Sequence, residues 1–341
     1  MSDITMSPLR KSWMERTMTD SRDLHLRDTP VVLLGANGCA GRMHGNVYER
    51  LGAPVYRVDV AEHPLKYWEG RLPWQDAVVD VCTPTGEHAS CIRWAHELGA
   101  RRFLVEKPAA RSLSEWRSTL DVLNDSQVLG VQNYLFSAAF RAARAALPEV
   151  HRISSGFDKL RAFDDFAGRG ADRFGELPHV VEVEMPHQFA MALSVRPDLA
   201  VTRMTEHAFG VRAGQSKAAV SCSVELAAPG VTAVLSSNLR APRRRWIRLE
   251  SPDGRYAHCD FPDRAGASRA YEGNQLGAVS VLFAGEDDML QACLAAAVRT
   301  FHTGEAAPPD LAVDLVTSVE RCIEDALYEV DDGASGSPIA V

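Results

Sequence analysis

The sequence predicts an α/β protein. A doubly wound parallel sheet occupies residues 30–150, and a second α/β unit built on a large open sheet occupies 151–330. Three observations carry this. Short apolar strands alternate with amphipathic helices through the first half. A glycine-rich turn joins the first strand to the first helix. Segments of in–out alternation dominate the second half. At 341 residues the chain is long enough for two such units.

The first strand is VVLL, Val31 to Leu34. Gly35, Gly38 and Gly41 follow at intervals of three, and Met43, Val47 and Leu51 then fall at helical spacing. Glycines at such a turn permit a tight bend, close backbone approach to a pyrophosphate, and packing of the helix on the strand. The spacing G-x-x-G-x-x-G is one residue longer than the common dinucleotide-binding form. PVYRVDV, Pro54 to Val60, is a second strand whose end carries Asp59. A carboxylate there suits a ribose 2′-hydroxyl and repels a 2′-phosphate, which favours NAD, with NADP as the alternative. Arg57 works against that preference, and a solvated strand end is the plainer reading of Asp59.

Ala77 to Cys82 reads as a third strand, followed by a turn at Thr83-Pro84-Thr85 and a helix from His88 to Leu98. The fourth strand, Arg102 to Glu106, ends in Glu106-Lys107-Pro108, where the proline removes the next ladder donor. Ser112 and Glu115 form a capping box for the next helix, and Gln127 to Phe136 reads as a fifth strand. Alternating strands and helices imply right-handed crossovers and a parallel sheet, whose ligands sit beyond the carboxyl ends of its strands. Gly35 to Gly41, Asp59, Thr83-Pro84, Glu106-Lys107 and Tyr134 all fall at those ends. Lys107 is therefore aimed at the crevice that holds a cofactor.

The bulk properties exclude other classes. A net charge of −8 gives no basic surface for nucleic acid, and RAPRRRW, Arg240 to Trp246, reads as a solvated strand edge or turn. No apolar run approaches membrane-spanning length, and the start has no secretory apolar stretch. Seven scattered cysteines without C-x-x-C fit reduced thiols in a cytoplasm, with neither a disulfide frame nor a metal site. Residues 1–29 read as a flexible extension and 331–341 as a disordered tail.

Taken together, GCAGRMH, VVDVCTPTGEH, LVEKPAA and GVQNYLF resemble the Gfo/Idh/MocA oxidoreductase family, which includes glucose–fructose oxidoreductase and inositol 2-dehydrogenase. The segment from Asp287 to Glu329 looks like that family's closing helical pair around a G-x-x-P-P-type turn, and the resemblance spans about Pro30 to Val330. It implies a Rossmann domain followed by an α/β domain with a mainly antiparallel sheet, whose outer face joins a homodimer or homotetramer. It implies an NAD(P)-dependent oxidoreductase acting on a secondary alcohol or ketone of a sugar, cyclitol or related small molecule. Gly35, Asn37, Gly38, Cys39, Ala40, Gly41, Asp59, Thr83, Pro84, His88, Glu106 and Lys107 would face the cofactor. Lys107 and His187 would be catalytic. Tyr134, Arg161 and Arg169 would join them in binding substrate.

Two departures bear on the chemistry. Only VAEHPLKYWEGRLPWQD separates Asp59 from Ala77, too short for the usual helix and connection. The family's D-x-G-x-H-x-x-D is also incomplete. His187 holds the histidine place in EVEMPHQFAMA, but Val183 and Ala190 stand at the aspartate positions, and neither Glu182 nor Glu184 has the right spacing. Pro186 suits a helix start, and a helix N-terminus disfavours the cationic ring, so His187 reads as a neutral base or as a capping histidine; His179 is the weaker rival. The charged run from Asp158 to Arg173 would edge the site, or simply form a solvated loop. Two alternatives stay open: a redox-neutral enzyme that retains NAD, as an epimerase or eliminase does, and a non-catalytic nucleotide-binding regulator.

Overall fold

A computed structural model of the chain describes residues 25–160, 179–210, 218–262 and 266–333. After a short helix α1 (His25–Asp28) come β1 (Val31–Leu34), α2 (Cys39–Leu51), β2 (Val55–Val58), β3 (Val78–Val81), α3 (Thr85–Glu97), β4 (Arg102–Val105), α4 (Leu113–Val122) and β5 (Gln127–Gly130). The five strands form one parallel sheet in the order β2-β1-β3-β4-β5. Strands β1 and β3 are buried at every residue, as central strands of a sheet covered on both faces must be. That is why they read as short continuous apolar runs. Asp80 in the middle of β3 is the exception.

α5 (Ala138–Ala146) leads into the second sheet, which holds β6 (Arg152–Asp158), β7 (Ala200–Gly210), β8 (Ala218–Ala228), β9 (Val231–Asn238), β10 (Arg244–Glu250), β11 (Tyr256–Asp260), β12 (Ala267–Gly273) and β13 (Val279–Glu286). Its order is β13-β12-β11-β10-β6-β9-β8-β7, antiparallel throughout except for the β6–β9 pair. Two helices, α6 (Val180–Glu184) and α7 (Pro186–Val195), lie between β6 and β7 in sequence. The closing pair, α8 (Met289–Thr303) and α9 (Val313–Gly333), returns to the first sheet. There α8 packs on α2, and α9 packs on α4, β5, α7 and β7. One hydrophobic core therefore runs from Leu104 and Leu129 of the first sheet to Leu235 and Ile247 of the second.

Several predicted boundaries move. β5 ends at Gly130, and Asn133–Phe136 is a 3-10 helix, so Tyr134 is not on a strand. A four-residue apolar run buried against a neighbour has the same pattern in either conformation. α3 begins at Thr85, with Pro84 at its N-cap, three residues before the expected start. Ser112 caps α4 by accepting the Glu115 N–H, but Glu115 turns to the Arg111 N–H and guanidinium, so the box is not reciprocal. Met43 is half-exposed; the inner face of α2 is instead His44, Val47 and Tyr48. The short connection after Asp59 makes only a 3-10 turn, Leu65–Trp68. No described helix is long and apolar enough to cross a membrane.

Candidate active site

A cleft of about 1030 Å³ opens at the carboxyl ends of β1 to β4. Gly35, Asn37, Gly38, Cys39, Ala40, Asp59, Thr83, Pro84, His88, Glu106 and Lys107 line it. Gly41 does not: a Cβ there would collide with the Gly35 carbonyl, so its role is to seat α2 on the turn. Gly35 has φ +77°, and a Cβ on it would stand 2.7 Å from the Cys82 carbonyl. α2 starts at the cleft with no side-chain cap on its N-terminus. Free helical N–H groups beside a glycine floor suit a pyrophosphate.

The Asp59 carboxylate is fixed by two backbone donors, the Asn37 N–H at 3.0 Å and the Ala61 N–H at 2.9 Å. Arg57 turns away to Glu49 at 2.7 Å, lying where a Cβ on Gly45 would strike it. It does not line the cleft, whereas Arg42 does. The glycine turn, the uncapped helix and the anchored carboxylate all fit a dinucleotide.

At the end of β4, Lys107 faces the cleft and Glu106 turns inward. One Glu106 oxygen lies 3.0 Å from His44 Nε2, and the other accepts the Lys107 N–H at 2.9 Å. Burial pushes the Glu106 carboxyl up, but His44 and Lys107 outweigh it and leave it below the usual range. His88 stands with Nε2 2.7 Å from the Thr83 carbonyl and Nδ1 3.2 Å from the Ala109 carbonyl; burial lowers its pKa, so a neutral ring donates to one of the two and braces the wall.

His187, in the first turn of α7, is not among the residues that line the cleft but lies near enough to Lys107 to feel its charge. Its ring lies 4.6 Å from that of Tyr134. Burial, then the charges of Lys107 and Arg245, hold it well below the ordinary histidine value. Its Nδ1 is buried with no hydrogen-bond partner among the described residues. Arg245 donates to the Tyr134 hydroxyl and, at 3.0 Å, to Glu184 Oε2, which is 3% exposed. Tyr134, expected at the crevice, is instead buried in the hydrophobic core outside the cleft lining, with its hydroxyl engaged by Arg245. His179 caps α6 and pairs with Glu206 at 3.0 Å, in a structural role. Arg161 and Arg169 lie outside the described residues.

Three site residues escaped the sequence reading. Arg245 belongs to the run taken for a solvated edge, yet it shares a strand face with the buried Ile247 and Leu249; that parity was the available signal. His44 falls on the core face of its helix, and Asp80 is an acid inside a central strand. Both were visible as polar residues at apolar positions.

No protein-family model and no curated protein matches the sequence. Solved structures do match in fold. A UDP-N-acetylglucosamine 3-dehydrogenase from Acidithiobacillus ferrooxidans superposes with TM-score 0.70 at 16% identity, over 89% of this chain and 98% of that one. An inositol dehydrogenase homologue from Azotobacter vinelandii, complexed with NAD+, gives 0.71 at 16%, over 89% and 96%. A 3-ketoreductase from Actinomadura kijaniata, with NADP and TDP-benzene, gives 0.67 at 15%, over 88% and 97%. These neighbours are oxidoreductases of the Gfo/Idh/MocA type, the type the motifs resemble, and at such identities the likeness is one of fold.

Proposed function

We propose that this protein is an NAD(P)-dependent oxidoreductase acting on a secondary alcohol or ketone of a sugar, cyclitol or related metabolite. The observation that carries the reading is a dinucleotide-shaped cleft with Lys107 in its lining and a neutral His187 near enough to feel the Lys107 charge. Gly35, Gly38 and the start of α2 hold the pyrophosphate, and Asp59 receives the adenosine ribose. A bound nicotinamide supplies the hydride donor or acceptor. Lys107 Nζ hydrogen-bonds the substrate oxygen and orients it. A ring nitrogen of His187 exchanges the hydroxyl proton. Tyr134 packs against the imidazole and excludes water from that side. The substrate class agrees with neighbours whose own names specify a sugar nucleotide, a ketone and inositol.

Residues 30–150 would then be the cofactor unit, and 151–330 the substrate and oligomerisation unit. A homodimer or homotetramer through the second sheet accords with its exposed apolar edge. There Leu276, Val279 and Val281 are 94%, 60% and 67% exposed, and light scattering reads the state directly.

The first experiment is a fluorescence titration with NADH and NADPH, reading energy transfer from Trp68 on the 3-10 turn whose Leu65 lines the cleft. Saturable micromolar binding of one cofactor is expected. A folded protein that binds neither would replace this reading with the non-catalytic regulator, which the absent aspartate before His187 favours.

A further inference from the structure

The most secluded polar group among the described residues at this end of the sheet lies behind the cleft. The side chains of His44 on α2 and Asp80 on β3 have no exposed surface. His44 Nδ1 is 2.8 Å from Asp80 Oδ2, and its Nε2 is 3.0 Å from Glu106 Oε1. The Tyr48 hydroxyl donates to the same Asp80 oxygen at 2.8 Å. The second Glu106 oxygen takes the Lys107 N–H at 2.9 Å. An unbroken line of hydrogen bonds therefore runs from Tyr48 through Asp80, His44 and Glu106 to the backbone of Lys107.

The chemistry of this line fixes its charges. Carboxylates only accept, so a ring held between two of them needs a proton on each nitrogen. Burial works against a charged His44, but Asp80 outweighs it by its charge and its hydrogen bond, and the pKa of the ring stands well above the ordinary value. The groups facing the ring are Tyr48 on its own helix, Asp80 from β3, Cys82 just beyond it, Glu106 beyond β4, and Cys293 from α8. His44, Asp80 and Cys82 also bring three metal-ligating atoms within 4.8 Å of one another. They do not form an open ligand set: His44 Nδ1 is committed to Asp80, and burial pushes the Cys82 thiol far up, so it stays protonated. From the interior outward the signs alternate: Asp80 carboxylate, His44 imidazolium, Glu106 carboxylate, Lys107 ammonium.

We propose that His44 is a positioning residue for Lys107, acting through Glu106: the Asp80–His44–Glu106 chain fixes the peptide from which Lys107 extends and holds Glu106 as an anion at the adjoining position. The functional weight of this rests on the reading that Lys107 meets the substrate oxygen. Without the imidazolium, Glu106 is a carboxylate largely removed from water with one remaining counter-charge, so it takes up a proton. Lys107 then loses its anionic neighbour, and its amine becomes more reactive.

The test uses full-length His44→Gln, Glu106→Gln and the double variant. The readout is the acylation rate of Lys107 by an amine-reactive ester, followed by peptide mass mapping. With five lysines in the chain, Lys107 is readily resolved. Glu106→Gln should speed acylation about tenfold, because the amine loses the adjoining negative charge. His44→Gln should give a similar increase, and the double variant should show no further gain, because both act on one chain. Nitrogen-15 histidine spectra of the wild type should show both His44 ring nitrogens protonated through neutral pH. If His44→Gln does not fold, the isosteric Asp80→Asn removes the same proton and should raise acylation alike. A rate within about twofold of wild type in a folded variant, effects that multiply in the double variant, or a neutral His44 would each overturn the proposal. Wild-type protein that binds neither NADH nor NADPH would sink the oxidoreductase reading instead, while the labelling series would still judge the chain.

Discussion

Glu320 on α9 should make the stability of this protein fall with pH, and Glu320→Gln should remove that slope. Its carboxyl is 4% exposed and accepts the Ala109 N–H at 2.6 Å, two residues from Lys107. Burial, helped by the nearby charges of Glu182 and Glu324, pushes its pKa from an ordinary 4.5 up to about 8. The folded state therefore holds a proton that the unfolded chain releases above pH 4.5. The stabilisation is complete below that pH, declines as pH rises, and is lost once pH passes about 8. At 1.36 kcal/mol per unit, the two and a half units up to pH 7 amount to about 3 kcal/mol. Glutamine keeps the acceptor for Ala109 and turns its NH2 toward the two carboxylates. Urea unfolding of both proteins between pH 5 and pH 8 measures the effect as a difference, so every other titrating group cancels. Near pH 5 the two should be alike, and by pH 7 the variant should be the more stable by about 3 kcal/mol. A difference that does not change with pH would show that Glu320 is ionised in the fold.

Further outcomes follow from the site. Lys107→Ala should cut turnover of the identified substrate by about a hundredfold or more while circular dichroism stays native; near-normal turnover would remove Lys107 from the mechanism. NADH should bind more tightly than NADPH, and Asp59→Ala should narrow that gap by about tenfold; equal affinities in the wild type would refute the role given to Asp59. Arg245→Gln leaves Glu184 buried without its cation and should cost about 3–5 kcal/mol in urea unfolding, whereas an unchanged midpoint would mean that the pair contributes nothing in solution.

What could be read from the sequence follows from how strongly each feature marks its own residues. The parallel strands were legible because burial on both faces demands runs such as VVLL and VVDV. The glycine turn and Lys107 were legible because each sits where a strand ends. The site's supporting residues were harder. Arg243, Arg244 and Arg245 are one residue type in a row, and only the pleat decides that the third faces inward. His44 pairs with Asp80 across 36 positions and with Glu106 across 62, and no local pattern records such a partnership. The early end of β5 depends on a buried apolar run that serves a strand or a 3-10 turn equally well.

Lys107 and Arg245, the two cations whose charges His187 feels, differ from it in one respect. Behind Lys107 stands Glu106, and behind Arg245 stands Glu184. His187 has no carboxylate partner among the described residues, because Val183 occupies the position where the resembling family carries one. A buried imidazole facing two positive charges without a counter-ion stays neutral. Under the proposed mechanism it takes the substrate hydroxyl proton against that positive field, while Lys107 keeps its own proton and only hydrogen-bonds the same oxygen. The pH profile should show this. His187 is already a free base at the ordinary histidine value of about 6.5, so alcohol oxidation should lose no rate to its protonation on falling through that pH. Introducing a carboxylate by Val183→Asp should raise its proton affinity and move an acidic limb up into the neutral range. A wild-type limb centred at or above 6.5 that disappears in His187→Asn would show that the ring is charged there, and would refute the neutral-base assignment.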